Sequence, residues 1–219
     1  MKLGNPIKNF VTKSYPEGHV IQWFGENLPL YSKVCASAGV CLTGGHNGLD
    51  IVSPWGTPIL AVSNQKVVEV KYNANGYGKH VRCLGQGYEY TYGHLSEIKC
   101  SLGQELKAGE VLGLMGNTGF VVSGATPFWE FNPYAGTHLH FGMRVFTSWV
   151  GSGSYNIQYQ SGDRGTIEDY NNGFMGSIDS SLFFDVVPQT NTIELQLTVI
   201  SLANQAILLL KQLIRLKQG

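Results

Sequence analysis

Short apolar runs separated by turn-forming residues dominate residues 18–150. Runs such as HVIQWFG, KVVEVKYNANGYG and THLHFGMRVF contain only a few consecutive apolar residues and are bounded by Gly, Pro or Asn. Runs of this length between such residues are typical of strands rather than of helices. The segments NANGYG and LGQGY predict hairpin turns, in which glycine supplies a positive φ. The pattern therefore predicts a mostly β domain with a small antiparallel, sandwich-like sheet and irregular loops.

The end of the chain follows a different pattern. Apolar residues recur there at spacings of three, four and seven: Leu195, Val199, Leu202, Ala206, Leu209, Leu213 and Leu216, with Ile193, Ile200, Ile207 and Ile214. This spacing predicts an amphipathic helix over residues 193–219. Because its apolar face is wider than the seam of a two-stranded coiled coil, we expect self-association or docking on a protein partner. The alternatives are packing on its own domain and binding to a membrane surface.

The sequence thus predicts four regions. Residues 1–17 form an N-terminal segment, and residues 18–150 form the β domain. Residues 151–192 are rich in Gly, Ser and Asn, which predicts loops with one short element near LFFDVV. The predicted helix over residues 193–219 completes the chain.

Composition narrows the possible partners. The 15 basic and 15 acidic side chains cancel and form no block of like charge, which argues against a nucleic-acid partner. The charge-free stretch 195–210 is interrupted by polar residues and is shorter than the roughly 20 apolar residues of a transmembrane helix. We therefore expect no transmembrane segment.

The four cysteines are too few for a disulfide scaffold in a chain of 219 residues. Cys35 and Cys41 are close enough in sequence to close a small loop. Cys83 and Cys100 lie in strand-like surroundings and are predicted to be buried free thiols.

Two short motifs carry candidate metal-binding chemistry. In GTHLHFGMR, side chains alternate across a predicted strand, so His138 and His140 project from the same face. In GGHNGLDI, His46 and Asp50 stand four residues apart. Two imidazoles and one carboxylate make a three-ligand zinc site with an open position. A third segment, YTYGHLSEI, places His94 at the end of another predicted strand.

Five segments together resemble a known family. GGHNGLDIVSPWGTPILAV, GYGKHVRC, YEYTYGHLSEI, GQELKAGEVLGLMGNTG and GTHLHFGMR match, in order and spacing, the lysostaphin-type (LytM-like) zinc metallopeptidases, which are peptidoglycan endopeptidases of bacteria and their phages. The resemblance covers residues 18–148. It implies that His46, Asp50 and His140 bind one zinc ion per chain.

The same resemblance implies that His94 and His138 are catalytic histidines beside the metal. The sequence has no glutamate base of the H-E-x-x-H kind, so histidines would have to move the protons. Which of the two is the general base stays open.

The resemblance implies a substrate in bacterial peptidoglycan, in the stem peptides or the cross-bridges, and leaves the bond open. Three further residues are candidates for substrate binding, each with a structural alternative. Trp129 lies in the long aromatic loop 120–137 and either grips the substrate or anchors the loop. Tyr92, two residues before His94 on the same predicted face, either reaches the substrate or packs the strand. Asn117 either contacts the substrate or forms the GNTG turn.

The expected site of action is the cell wall, outside the cytoplasm or in the periplasm. The first 20 residues contain no apolar stretch of signal-peptide length, which suggests delivery by a phage, as for an endolysin, or a trimmed export signal. Two other functions compete with the peptidase. One is a catalytically silent LytM-like module that binds the wall or regulates another protein, and the other is an assembly protein that acts mainly through the C-terminal helix.

Overall fold

A computed structural model describes residues 1–13, 19–31, 44–123, 126–127, 133–149 and 155–184. The chain divides into two units, residues 1–185 and 186–219. The predicted helix over 193–219 lies outside the described residues, as do Trp129, Cys35 and Cys41. In the described part of the chain, no helix combines the length and apolarity needed to cross a membrane.

The described residues are mostly strands. Their bounds are β1 Val20–Gln22, β2 Leu49–Ile51, β3 Pro58–Leu60, β4 Gln65–Asn73, β5 Gly78–Gly85, β6 Tyr88–Ile98, β7 Glu105–Leu106, β8 Val111–Met115, β9 Val122–Ser123, β10 Thr126–Pro127, β11 Leu139–Thr147, β12 Tyr155–Gln158 and β13 Arg164–Ile167. Residues 28–31 are helical, and a 3₁₀ turn spans Ser180–Phe183. The predicted mostly β class is confirmed.

Eleven of these strands share one open sheet rather than the predicted sandwich-like arrangement. The main path runs β1-β2-β11-β6-β5-β4-β7, and the pairs along it are antiparallel. The long strand β6 pairs with β5 and β11 over most of its length and with β8 near its end, and β8 in turn pairs with β3. The separate pair β9–β10 forms a two-stranded sheet.

Both predicted hairpin turns are present. Gln86 and Gly87, with φ of 54° and 81°, link β5 to β6, and this pair of positive φ angles suits the twist of a two-residue hairpin. The NANGYG segment joins β4 to β5, where Asn73 pairs with Gly78. A β carbon on Gly78 would lie 2.2 Å from the backbone of Thr118, so only glycine fits there.

Alternation of side chains gives the sheet an apolar face and a polar face. On β6, Tyr90 and Tyr92 are fully buried among core residues, whereas Glu89 and Thr91 point to the opposite face. The largest fully buried apolar side chains are Ile7, Leu49, Ile51, Ile59, Tyr90, Tyr92, Leu95, Leu112, Met115, Leu139, Phe141 and Met143. Burial of each such side chain contributes roughly 1.5–3 kcal/mol. The predicted free thiols Cys83 and Cys100 are both free and buried.

Residues before and after the region that resembles the family, residues 18–148, also pack on this domain. Near the N-terminus, Leu3 bridges to Phe184, and the Gly4 N–H donates to the Val62 carbonyl. The sequence pattern did not predict the hairpin of β12 and β13, whose second strand extends the sheet by pairing with β11. The 3₁₀ turn lies at the predicted short element near LFFDVV.

Candidate metal centre

Strand pairing brings together the three residues expected to bind a metal. Asp50 on β2 lies directly opposite His140 on β11, and His46 precedes β2 by one short turn. His46 Nε2, Asp50 Oδ1 and His140 Nδ1 form a triangle with sides of 3.0–3.1 Å. All three residues are buried, and they form a group able to hold a metal ion.

The triangle has the size of a metal site. In tetrahedral zinc sites with bonds of about 2.0–2.1 Å, neighbouring ligand atoms lie about 3.3 Å apart. With its proton on Nδ1, His46 donates to the Trp23 carbonyl oxygen at 3.1 Å, which leaves the Nε2 lone pair directed at the other two ligands. The donor set of two imidazoles and a carboxylate therefore fits a divalent cation.

Mutual charge effects dominate the electrostatics of these residues. Burial by itself would raise the pKa of Asp50, but the imidazoles of His46, His138 and His140 outweigh burial and hold that pKa well below its ordinary value. Burial lowers the pKa of His140, whereas the neighbouring Asp50 carboxylate outweighs burial at His46 and raises its pKa. The carboxylate thus stays ionised and available to a cation.

His94 and His138 lie beside the triangle. Their ring centroids are 4.6 Å apart, and His138 Nε2 lies 3.7 Å from Asp50 Oδ1. Both rings are oriented by backbone carbonyl groups, because His94 Nδ1 lies 2.7 Å from Thr118 O and His138 Nδ1 lies 2.7 Å from Gly136 O. Each ring thus keeps Nε2 for other chemistry.

Backbone strain directs His94 to the site. Its φ is 62°, a left-handed conformation that is uncommon for a residue other than glycine and that often marks functional positions. Burial, together with the neighbouring His138 and His140, holds the pKa of His94 well below its ordinary value. The His94 imidazole is therefore neutral near pH 7.

Tyr92 lies in the core, which fits the strand-packing alternative rather than substrate contact. The tyrosine is fully buried in the core, where its hydroxyl hydrogen-bonds to the Gln65 side chain and accepts from the Val62 N–H. Alternation predicts that Tyr92 and His94 share a face, but the positive φ of His94 interrupts that alternation. His94 therefore points to the metal centre while Tyr92 points to the core.

Asn117 supports a loop. Its Nδ2 donates to the carbonyl oxygens of Pro133 and Ala135, at 3.1 and 2.8 Å, and its side chain is buried. These bonds tie the GNTG turn to the segment that leads into β11. The turn-forming alternative therefore describes Asn117 better than substrate contact.

Two glycines leave space for the His140 ring. A β carbon on Gly48 would lie 2.7–2.8 Å from ring atoms of His140 and 2.6 Å from the Phe141 carbonyl oxygen. A β carbon on Gly93 would lie 3.3 Å from the β carbons of His140 and Tyr77. No local sequence pattern assigns a role to Gly48, Gly93 or Tyr77. Tyr77 does lie in GYGKHVRC, one of the five segments that resemble the family.

Segments on either side of the β core brace the His46 loop. The Trp23 carbonyl oxygen accepts a hydrogen bond from His46, and the Tyr31 ring stacks on the His46 ring with centroids 5.6 Å apart. Phe174 packs on Phe24 at 4.2 Å, and the Gly44 N–H donates to the Gly173 carbonyl oxygen. These contacts join residues distant in sequence, so local patterns carry no signal for them.

Comparison with known proteins agrees with this geometry. Residues 44–152 match the model of Peptidase family M23. The chain therefore carries a domain of peptidase family M23, and the resemblance to lysostaphin-type peptidases is confirmed.

Named relatives cover the same part of the chain. Glycyl-glycine endopeptidase ALE-1 of Staphylococcus capitis is 28% identical over 61% of this chain and 34% of its own length. Lysostaphin of Staphylococcus staphylolyticus is 30% identical over 58% of this chain and 24% of its own length. Peptidoglycan DD-endopeptidase ShyA of Vibrio cholerae is 33% identical over 46% of this chain and 20% of its own length. The chain thus spans about a third or less of the length of each relative.

Proposed function

We propose that the protein is a zinc-dependent endopeptidase that hydrolyses peptide bonds in peptidoglycan stem peptides or cross-bridges. The observation that carries the proposal is the triangle of His46, Asp50 and His140, with His94 and His138 beside it. The relative ShyA, which is named as a peptidoglycan DD-endopeptidase, supports the substrate class.

The three ligands would hold one zinc ion through His46 Nε2, Asp50 Oδ1 and His140 Nδ1. Imidazole and carboxylate donors suit zinc, and three protein ligands leave one coordination position open, as in catalytic rather than structural sites. When bound, zinc polarises a carbonyl group and lowers the pKa of water towards neutrality. The protein supplies the rigid frame, since two of its ligands lie on adjacent strands.

The two flanking histidines would move the protons. His94 is neutral and has its Nδ1–H directed at the Thr118 carbonyl, so Nε2 can accept the proton of the attacking water. His138 presents Nε2 to the same space, where it can donate to the carbonyl oxygen or to the departing amine. We assign the base role to His94 and the donor role to His138.

A groove lined by residues that neighbour the site in sequence suits an extended substrate. Its lining includes Val52, Trp55, Tyr134 and Thr137; Val52 follows β2, which carries Asp50, and Thr137 directly precedes His138. Trp55 and Tyr134 meet edge to face at 5.4 Å and remain 40% and 61% exposed. Exposed aromatic side chains next to an active site can hold a peptide or a sugar on either side of the scissile bond.

The relatives support two kinds of bond. The name of ALE-1 describes a glycyl-glycine bond, whereas the name of ShyA describes a DD-endopeptidase. Because the name of ShyA gives peptidoglycan as its substrate, we propose the bacterial cell wall as the site of action. A phage-borne role and self-association through residues 193–219 stay predictions.

The test combines metal analysis with wall digestion. Purified full chain is analysed for zinc and incubated with peptidoglycan of several cross-bridge types, and the released fragments are weighed by mass spectrometry. We expect one zinc per chain and release of cross-link fragments. His140→Ala should lose both metal and activity, whereas His138→Ala should keep the metal and lose activity.

Two results would contradict parts of this proposal. Zinc binding without cleavage of any wall type would favour the silent, wall-binding module. Cleavage that persists in the metal-free protein would exclude the proposed role of the triangle. The fragment masses identify the bond directly.

A further inference from the structure

Tyr77 lies in the turn before β5, and its ring packs against His140, one of the three candidate metal ligands. The ring stacks on the His140 imidazole, with centroids 4.8 Å apart and planes 29° from parallel. Gly93 makes this approach feasible, because a β carbon there would lie only 3.3 Å from the β carbons of both residues. Gly48 also lies close to the His140 ring, where a β carbon would come within 2.7 Å of a ring atom. The imidazole thus packs closely against both an aromatic ring and a glycine.

Within the described part of the chain, no hydrogen bond fixes the far side of the imidazole. Metal-ligating histidines ordinarily donate their second N–H to an acceptor, which sets the tautomer and the orientation of the ring. His140 Nε2 is buried and has no hydrogen-bond partner among the described residues. The orientation of this ligand therefore depends on the packing of Tyr77 and Gly48.

The Tyr77 ring is itself anchored. Its hydroxyl accepts a hydrogen bond of 2.9 Å from Nδ2 of Asn47, a buried residue that directly follows the ligand His46. Its carbonyl oxygen accepts the N–H of His94 at 2.7 Å, at the position where the backbone adopts a positive φ. Tyr77 thus contacts or anchors three parts of the site: the His46 loop, β11 and the strained residue of β6.

We propose that Tyr77 is a positioning residue of the metal centre. Its ring keeps His140 Nδ1 directed at His46 Nε2 and Asp50 Oδ1, and the bond from Asn47 fixes that ring in place. The inference rests on the metal centre of the proposed function, but it concerns metal binding rather than hydrolysis.

The experiment titrates the metal-free full chain with Co²⁺ and records affinity and the visible absorption of the bound ion. Tyr77→Leu removes the stacked ring, Tyr77→Phe removes only the hydroxyl, and Asn47→Ala removes the anchor. Tyr72→Leu is the matched control, because Tyr72 lies on neighbouring β4 and is 65% exposed.

We expect Tyr77→Leu to weaken Co²⁺ binding about 10–100-fold, the usual effect of losing a supporting partner of a ligand, and to change the absorption spectrum. Tyr77→Phe and Asn47→Ala should each cause a smaller loss of Co²⁺ affinity. The double variant should lose no more affinity than either single variant, because both substitutions remove the same hydrogen bond. Tyr72→Leu should match the wild type.

A folded Tyr77→Leu variant with wild-type affinity and spectrum contradicts the proposal. Should that variant fail to fold, Tyr77→Phe and Asn47→Ala decide: equal, non-additive losses support the proposal, and wild-type binding in both overturns it. Wild-type chain that binds no Co²⁺ removes the metal centre and the proposed function together. Wild-type binding with the expected variant losses but no wall hydrolysis supports this inference and contradicts only the proposed hydrolytic activity.

Discussion

Two clusters of buried polar side chains share one face of strand β11, where Arg144 and His140 lie four residues apart. In one, Arg144 donates to both carboxylate oxygens of Glu89, at 2.8 and 2.6 Å, and the Tyr159 hydroxyl adds a further bond. In the other, His140 meets Asp50 and His46 across 3.0–3.1 Å. The first cluster balances its charges within the protein, whereas the second concentrates lone pairs that a cation can balance.

The contrast separates a polar cluster whose partners satisfy one another from one that is suited to hold a cation. A buried ion pair is tolerated when its partners satisfy each other, and the Glu89 carboxylate is fully enclosed by such partners. The three converging ligand atoms do not satisfy one another in this way, because all three direct lone pairs at the same point. Their burial becomes favourable when a metal ion lies between them. Substitutions should therefore affect folding at the first cluster and chemistry at the second.

The largest expected effect is on chemistry. His94→Asn should reduce hydrolysis about 10²–10⁴-fold, the usual contribution of a general acid or base, while metal binding is retained. Asparagine tolerates the positive φ at this position, so folding should change little. Turnover of a soluble cross-link peptide and zinc content give the two readouts.

The matched control for this change is His80→Asn. His80 is also buried near Tyr77, but its Nδ1 lies 2.9 Å from the Gly78 carbonyl oxygen and its Nε2 lies 3.4 Å from Glu69. Activity per folded molecule should stay at the wild-type level. An equal loss in both variants would show that the effect at His94 is structural.

At the ion-pair cluster the expected effect is on stability. Glu89→Ala leaves Arg144 buried without its partner and should lower the free energy of unfolding by about 3–5 kcal/mol, as measured by urea denaturation. Glu97→Ala removes an exposed partner of Lys99 and should cost less than about 1 kcal/mol. If Glu89→Ala instead removed metal binding from folded molecules, the two clusters would not be separable.

A smaller effect is expected at the glycine beneath His140. Gly48→Ala would place a β carbon 2.7–2.8 Å from the ligand ring and should weaken metal binding about 10–100-fold by displacing it. Gly142→Ala is the control, because its β carbon would lie at an ordinary contact distance of 3.6 Å from His140 Nε2. Isothermal titration with Zn²⁺ compares the two, and equal affinities would argue against the tight fit.

The smallest effect concerns pH. Burial favours the protonated form of Glu69, but the hydrogen bond from His80 and the charges of Arg82 and Lys71 outweigh it and lower the pKa of Glu69 to about 2. Because this folded-state pKa lies below the ordinary value of 4.5, its stabilisation is present above pH 4.5 and is lost as the pH falls towards 2. The full pKa difference is equivalent to about 3 kcal/mol, and solvent screening of the half-exposed Lys71 partner reduces the expected loss to the order of 1–2 kcal/mol.

Urea unfolding between pH 7 and pH 2.5 measures this loss. Glu69→Gln cannot ionise, so its stability should fall less steeply over the acid range than that of the wild type. If the free energy of unfolding fell equally steeply with pH in the two proteins, Glu69 would not be a source of the pH dependence.

Local sequence patterns were sufficient where one segment decides the outcome. Short apolar runs predicted strands, and the glycine-containing NANGYG and LGQGY segments predicted hairpins, because a positive φ at a turn is a local requirement. The hairpin of β12 and β13 was missed, since its Gly, Ser and Asn content signals turns. Residues Arg164–Ile167 form strand β13 because they pair with the distant strand β11.

By itself, the sequence determined the β class of the domain and the residues able to bind a metal, because strand periodicity and ligand chemistry belong to individual residues and short segments. Only the tertiary structure decided which side chains reach the site. The backbone of His94 turns its ring towards the metal centre while Tyr92 enters the core, and Tyr77 covers a ligand 63 positions further along the chain. These outcomes depend on contacts between distant strands, which no local pattern contains.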